Sequence, residues 1–155
     1  MNMDVKLPFT LKLVPTGFDT DKTKDGWKLV ENEPFDIPAK IGKLRLDLVQ
    51  ILYKKELSIP GETLKIRAKY LKVHHGQRFA ELLLRNQSQI PDEWGKYSLI
   101  FPGTVWFNSS RGFEVIPVLY CNFVGDGKWN LVFERLDRDW DDDSPFIHFV
   151  RSSEY

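Results

Sequence analysis

The last third of the chain constrains the fold most. "KYSLIF", "GTVWF", "FEVIPVLYCNF", "KWNLVFERL" and "FIHFV" follow one another from Lys96 to Val150. Each is rich in β-branched and aromatic residues, which suit a pleated, half-buried surface. Pro102-Gly103, "SSRG" at 109–112 and "GDG" at 125–127 separate them, and such residues punctuate turns. "CNFVGDGKWNLVF" is a hairpin signature. In "FPGTVW", Pro102 presets φ and Gly103 is expected at positive φ, as a type II turn requires. Short strands joined this way predict an antiparallel meander of about four to five strands.

The middle of the chain reads differently. "SIPGETLKIRAKYLKVHHGQ" alternates from Thr63 to Tyr70 as a strand would, yet is built of helix formers behind a "PGET" opening. Read as a helix it has two apolar sides, Leu64, Ala68, Leu71 and Ile66, Tyr70, Val73. That pattern predicts a helix held between the sheet and a neighbouring helix. In "GQRFAELLLRNQSQIP", Phe79, Leu82, Leu83 and Ile90 fall at helical spacing, Glu81 precedes Arg85 by one turn, and Pro91 closes the segment. Gly76 is the expected turn between the two.

Upstream, Val5, Leu7, Phe9, Leu11 and Leu13 alternate as a strand, and Pro8 places it at a sheet edge. A loop from Val14 to Trp27 leads to a second strand at "WKLV". "KLRLDLVQILY", Lys43 to Tyr53, changes apolar face after Leu48, as a bulge or a strand covered on both faces would. The fold class is therefore α+β: an antiparallel sheet, made of the C-terminal meander plus N-terminal strands, with a packed helical pair in mid-chain. The 155 residues, with no repeat or linker, fit one domain over 1–155, since domains run to about 100–200 residues.

Composition excludes several chemistries. The single cysteine, Cys121, permits neither an internal disulfide nor a cysteine zinc cluster. No apolar run approaches the ~20 residues of a membrane span, and the N-terminus has no signal-peptide core. A cytoplasmic protein without membrane contact is expected. No Walker or dinucleotide-binding glycine motif and no G-x-S-x-G elbow is present. A Cys121–His148 dyad would require neighbouring strands to bring the two together.

Zero net charge hides a segregation. Residues 40–85 hold eleven Lys and Arg against four Asp and Glu, whereas residues 126–143 hold three against seven. Complementary surfaces within the fold, or a polarised surface that steers a partner, would both produce this. On the basic side, Lys65, Arg67, Lys69, Lys72, Arg78 and Arg85 form a set that phosphates would recognise if the fold gathers them. Solvated helix faces carry the same residues.

On the acidic side, "LDRDWDDDSPFIHF" spaces Asp137, Asp139 and Asp141 as the first ligands of an EF-hand loop. The loop lacks the glycine and closing glutamate at the positions held by Asp142 and His148, and its flanks are strands. A looser metal site from Asp137, Asp139, Asp141 and His148 is one alternative. The plainer reading is an acidic turn anchored by Trp140. His74 and His75 are adjacent, so they diverge and cannot readily share one ion; a metal site would need one of them with His148 and distant aspartates. The aromatics of Trp94 to Phe107 are either core or an exposed patch.

These readings assign no catalytic residue and no cofactor. They lead to a non-enzymatic interaction protein that binds a protein partner through an aromatic-rich or charge-polarised surface. The alternatives are a nucleic-acid binder using residues 65–85 and a metal-dependent enzyme using the Asp137–Asp143 loop.

Overall fold

The structure, a computed structural model, describes residues 2–5, 17–33, 44–122 and 124–151. Its strands are β1 (Asn2–Val5), β2 (Lys28–Asn32), β3 (Leu44–Val49), β4 (Ile59–Pro60), β5 (Leu99–Ile100), β6 (Thr104–Asn108), β7 (Phe113–Cys121), β8 (Trp129–Arg135), β9 (Asp139–Trp140) and β10 (Phe146–Arg151). Between β4 and β5 lie two helices, α1 (Gly61–Tyr70) and α2 (Gln77–Arg85). The fold is α+β, as the sequence predicts. Among the described residues, eight strands form one sheet and β4 pairs with β9 in a second. All pairings are antiparallel except one, between β10 and β5.

Strand β7 organises the sheet. One edge carries β8 along its length, from Val115↔Arg135 to Cys121↔Trp129. The other edge carries β6 against Phe113–Val115 and then β5 against Val118–Leu119. The sheet forks at the break between them. One leaf continues from β5 through β10 and β3 to β1, and the other from β6 to β2. Pro117 explains why β7 tolerates the break. Its carbonyl accepts from Phe101 N at 3.1 Å, so its missing N–H faces the same edge, in the gap, where the ladder has no partner to lose.

Both faces of the sheet are covered. Ile116 and Val118 pack in a core with Leu64 and Ala68 of α1. Leu119 and Cys121 pack with Phe79, Leu82 and Leu83 of α2. Neighbouring residues of a strand point to opposite faces, so α1 and α2 lie on opposite sides of β7. This corrects the expectation that α1 is held between the sheet and another helix. Leu64 and Ala68 are buried, whereas Ile66 and Tyr70 face solvent.

Strand β3 decides between the two readings of its change of apolar face. Its register with β1 and β10 is regular, with no bulge. Leu46 and Leu48 join the α2-side core and Val49 the α1-side core, so the strand is covered on both faces. It then ends, and Ile51 is buried from the loop beyond. Residues 6–16, with Pro8 and most of the first alternating run, lie outside the described residues; among those described, Asn2–Val5 ends the sheet order.

The connection from α1 to α2 must change faces, and it passes the fork. Gly103 N donates to His75 O at 2.9 Å, and Gln77 N donates to Thr104 Oγ1 at 2.8 Å. Gly103 does not adopt the positive φ expected of it. It is glycine for another reason: a Cβ there would drive into the His74 carbonyl.

Helix α2 holds the turn that precedes β2. Glu81 accepts from Asp19 N at 2.9 Å and Thr20 N at 2.6 Å. Gln77 donates to Thr20 O and accepts from Trp106 Nε1. Glu81 therefore does not pair with Arg85, as helical spacing predicts; Arg85 reaches Asp19 at 2.9 Å.

Candidate functional site

The acidic loop is an ordered turn. Trp140 is fully buried in the α1-side core, its Nε1 donates to Leu136 O at 3.0 Å, and Arg138 lies over its ring. The anchoring expected from the sequence is thus present. Asp137 pairs with Arg135, which holds its carboxyl below the usual range. Asp139 pairs in register with Pro60. The carboxylates of Asp141, Asp142 and Asp143 lie within 4.8 Å of one another and are exposed. Asp141 Oδ1 accepts from Asp143 N, a local turn bond. His148 lies elsewhere, so the four residues of the metal alternative are not gathered.

The basic set divides in the same way. Lys65 pairs with Glu31 of β2 at 2.6 Å. Arg67 forms a two-pronged pair with Glu56 at 2.5 and 2.7 Å, donates to Ile51 O, and stacks on Tyr53 at 3.7 Å. That guanidinium, with the Tyr53 N–H bond, lowers the Glu56 pKa to about 2. Arg78 and Arg85 belong to α2, on the other side of the sheet. Lys69 and Lys72 remain, exposed at the C-terminal end of α1, with no ion pair among the described residues. Lys54 and Lys55, in the loop that Arg67 pins, are exposed in the same way.

Helix α1 thus carries a surface that the sequence reading missed. Ile66 and Tyr70, one turn apart on its outer face, are 62% and 79% exposed. Tyr53 and Leu57, at 50% and 89%, lie in the loop that Arg67 ties to the helix. Most large exposed apolar side chains among the described residues are these four. The signal was present as the second apolar side of the helix, but it reads equally as a buried face. Of the two readings of the aromatics from Trp94 to Phe107, core or exposed patch, the core reading holds for Trp94, Phe101 and Trp106, which are buried.

The histidines meet at the fork. His75 stacks on His148 at 5.8 Å with 22° between the rings, and meets Phe79 edge-on. His148 faces Asp47 across the β10–β3 pair. His74 points the other way, with Nε2 3.4 Å from Glu33 just past β2. Adjacent histidines thus reach the two leaves. Burial lowers the His75 pKa to about 3, with smaller contributions from His148 and His74. Stacked rings aim their nitrogens within their own planes and not at a shared ion. No sequence spacing could have brought Asp47, His75 and His148 together.

Cys121 borders a cavity of about 460 Å³ lined by Gln87, Ile90, Asp92, Gly127 and Trp129. Burial raises its thiol pKa, as do Asp126 and Asp92. A thiol held protonated is a poor nucleophile. Cys121 faces the α2 side. His148, next to Ile147 of the α2-side core, faces the α1 side, so the dyad is not assembled.

No protein-family model, curated protein or solved structure matches the chain. Among the described residues, no helix is long and apolar enough to cross a membrane.

Proposed function

We propose that this chain is a binding module that engages a protein partner through the outer face of α1 and the adjoining loop. The observation that carries the reading is the exposure of Ile66, Tyr70, Tyr53 and Leu57 on one side of the sheet, framed by Lys54, Lys55, Lys69 and Lys72. Apolar and aromatic anchors inside a charged rim are the anatomy of protein interfaces. Two of the cations a phosphate backbone would use, Lys65 and Arg67, are already neutralised by Glu31 and Glu56. Exposed Ile66 and Leu57 offer nothing to a nucleic acid that they would not offer better to a protein.

A photoreactive residue in place of Tyr70 tests the reading in native lysate. It should crosslink to protein, survive nuclease treatment, and lose the crosslink when Ile66→Asp is added. Equal crosslinking from a control position at Ser110, or loss of the product on nuclease digestion, would count against a protein partner.

A further inference from the structure

We infer that the segment that docks on α1 is an acidic amphipathic stretch of the partner, a row of apolar anchors flanked by Asp and Glu. The inference rests on the reading of that face as a docking surface and gives its partner a chemistry. It comes from the charges around the apolar patch. At about 100° per residue, Arg67 lies to one side of Ile66 on the helix and Lys69 to the other. Arg67 ties down the neighbouring loop through Glu56 and Tyr53, so the exposed Lys54 and Lys55 of that loop border the patch on its side. Lys72 follows Tyr70 just past the end of the helix. All four lysines are exposed, and none enters an ion pair among the described residues.

The carboxylates that could offset them are engaged already, Glu56 by Arg67 and Glu31 by Lys65. Glu62, one turn before Ile66, is the carboxylate that α1 itself exposes. The patch is therefore an apolar centre with a net positive rim. A partner that sets apolar residues on Ile66, Tyr70 and Leu57 and carboxylates on the rim is complementary to both parts. An amphipathic helix has this layout, an apolar stripe with charges along its sides. Glu62 discriminates among anionic partners. A bilayer or a phosphate backbone presents continuous negative charge, which would press on Glu62 whenever it met Ile66, and like charges brought together disfavour a partner. A peptide can leave an uncharged residue at that point.

The test is binding of the full chain to labelled synthetic peptides of about twelve residues, long enough as helices to cover α1, read by fluorescence anisotropy. The probe carries Leu and Phe at helical spacing with Glu on both flanks. It should bind, and more weakly as salt rises. A peptide with Lys in place of Glu, or with Ser in place of Leu and Phe, should not bind. On the protein, Ile66→Asp should abolish binding. Lys54→Glu, Lys55→Glu, Lys69→Glu and Lys72→Glu together should weaken it by about tenfold or more, the four being combined because exposed charges count for little singly. The quadruple variant should gain affinity for the Lys peptide, which an unfolded chain would not do selectively, and far-UV circular dichroism confirms that each variant is folded. A Glu peptide that does not bind overturns the inference. So does binding that survives loss of the peptide's apolar residues, or binding that is equal in the quadruple variant. Lysine-dependent binding to phosphatidylserine vesicles without binding of the peptide would put a membrane surface in its place. If the Glu peptide does not bind but the Tyr70 position still crosslinks to a protein, the docking surface stands and the acidic partner is excluded. If neither occurs, both readings fall.

Discussion

The buried carboxylate of Glu81 holds two backbone N–H groups of a distant turn, one on each oxygen. Burial raises its pKa, and the bonds from Asp19 and Thr20 oppose that shift without cancelling it. Glutamine is nearly isosteric but has only one acceptor oxygen. In Glu81→Gln the amide NH₂ must face one of the two N–H donors and leave it unsatisfied. A buried orphan donor costs about 1–3 kcal/mol. Urea denaturation of Glu81→Gln should show a loss in that range, and a loss near zero would mean the turn is held by other contacts. This role was not legible in the sequence. Glu81 and Arg85 have the spacing of a surface ion pair, and the burial that separates them comes from the segment around Phe18, sixty residues earlier. Cys121 was legible, because a cysteine inside an apolar strand has few fates other than burial.

Elements were readable where local chemistry decided them. The hairpin of β7 and β8, helix α2 and the strand at Lys28–Asn32 follow from periodicity and turn residues, whereas the alternation from Thr63 to Tyr70 leaves helix and strand open for α1. The fork was not readable, because it depends on which edge of β7 each strand takes. Gly103 shows the difference. Its sequence context announces a turn, but its identity is set by the α1–α2 connection pressing on it from outside. Two glycines separate these causes. Gly103→Ala places a methyl against backbone that cannot yield and should cost more than about 3 kcal/mol, in the range of severe core defects. Gly127 has φ +70 with nothing nearby, so Gly127→Ala pays only the left-handed backbone penalty, about 1 kcal/mol. Thermal unfolding of both variants checks the order. Equal effects would show that conformation, not crowding, fixes Gly103.

Among the described residues the larger sheet divides into two leaves, and the α1–α2 connection touches both. His74 approaches Glu33 beside one leaf, and His75 stacks on His148 of the other. This arrangement makes stability depend on pH in a definite direction. In the unfolded chain His75 titrates near 6.5, while in the fold burial keeps it neutral down to about 3. Between those values the unfolded chain binds the extra proton, so stability is full above about 6.5 and falls as the pH is lowered toward 3. The slope approaches 1.4 kcal/mol per pH unit at most, and the loss between pH 7.5 and 5.5 is about 1.4 kcal/mol. The groups around His75 are His148 and Asp47 on the paired strands β10 and β3, and His74 with Glu33 beside β2. They are present in both proteins when wild type is compared with His75→Phe, which keeps a ring against Phe79 and His148. Urea unfolding at the two pH values should show the wild type losing about 1.4 kcal/mol more than the variant. Parallel losses in both would place the pH dependence on other groups and leave His75 as a packing residue alone.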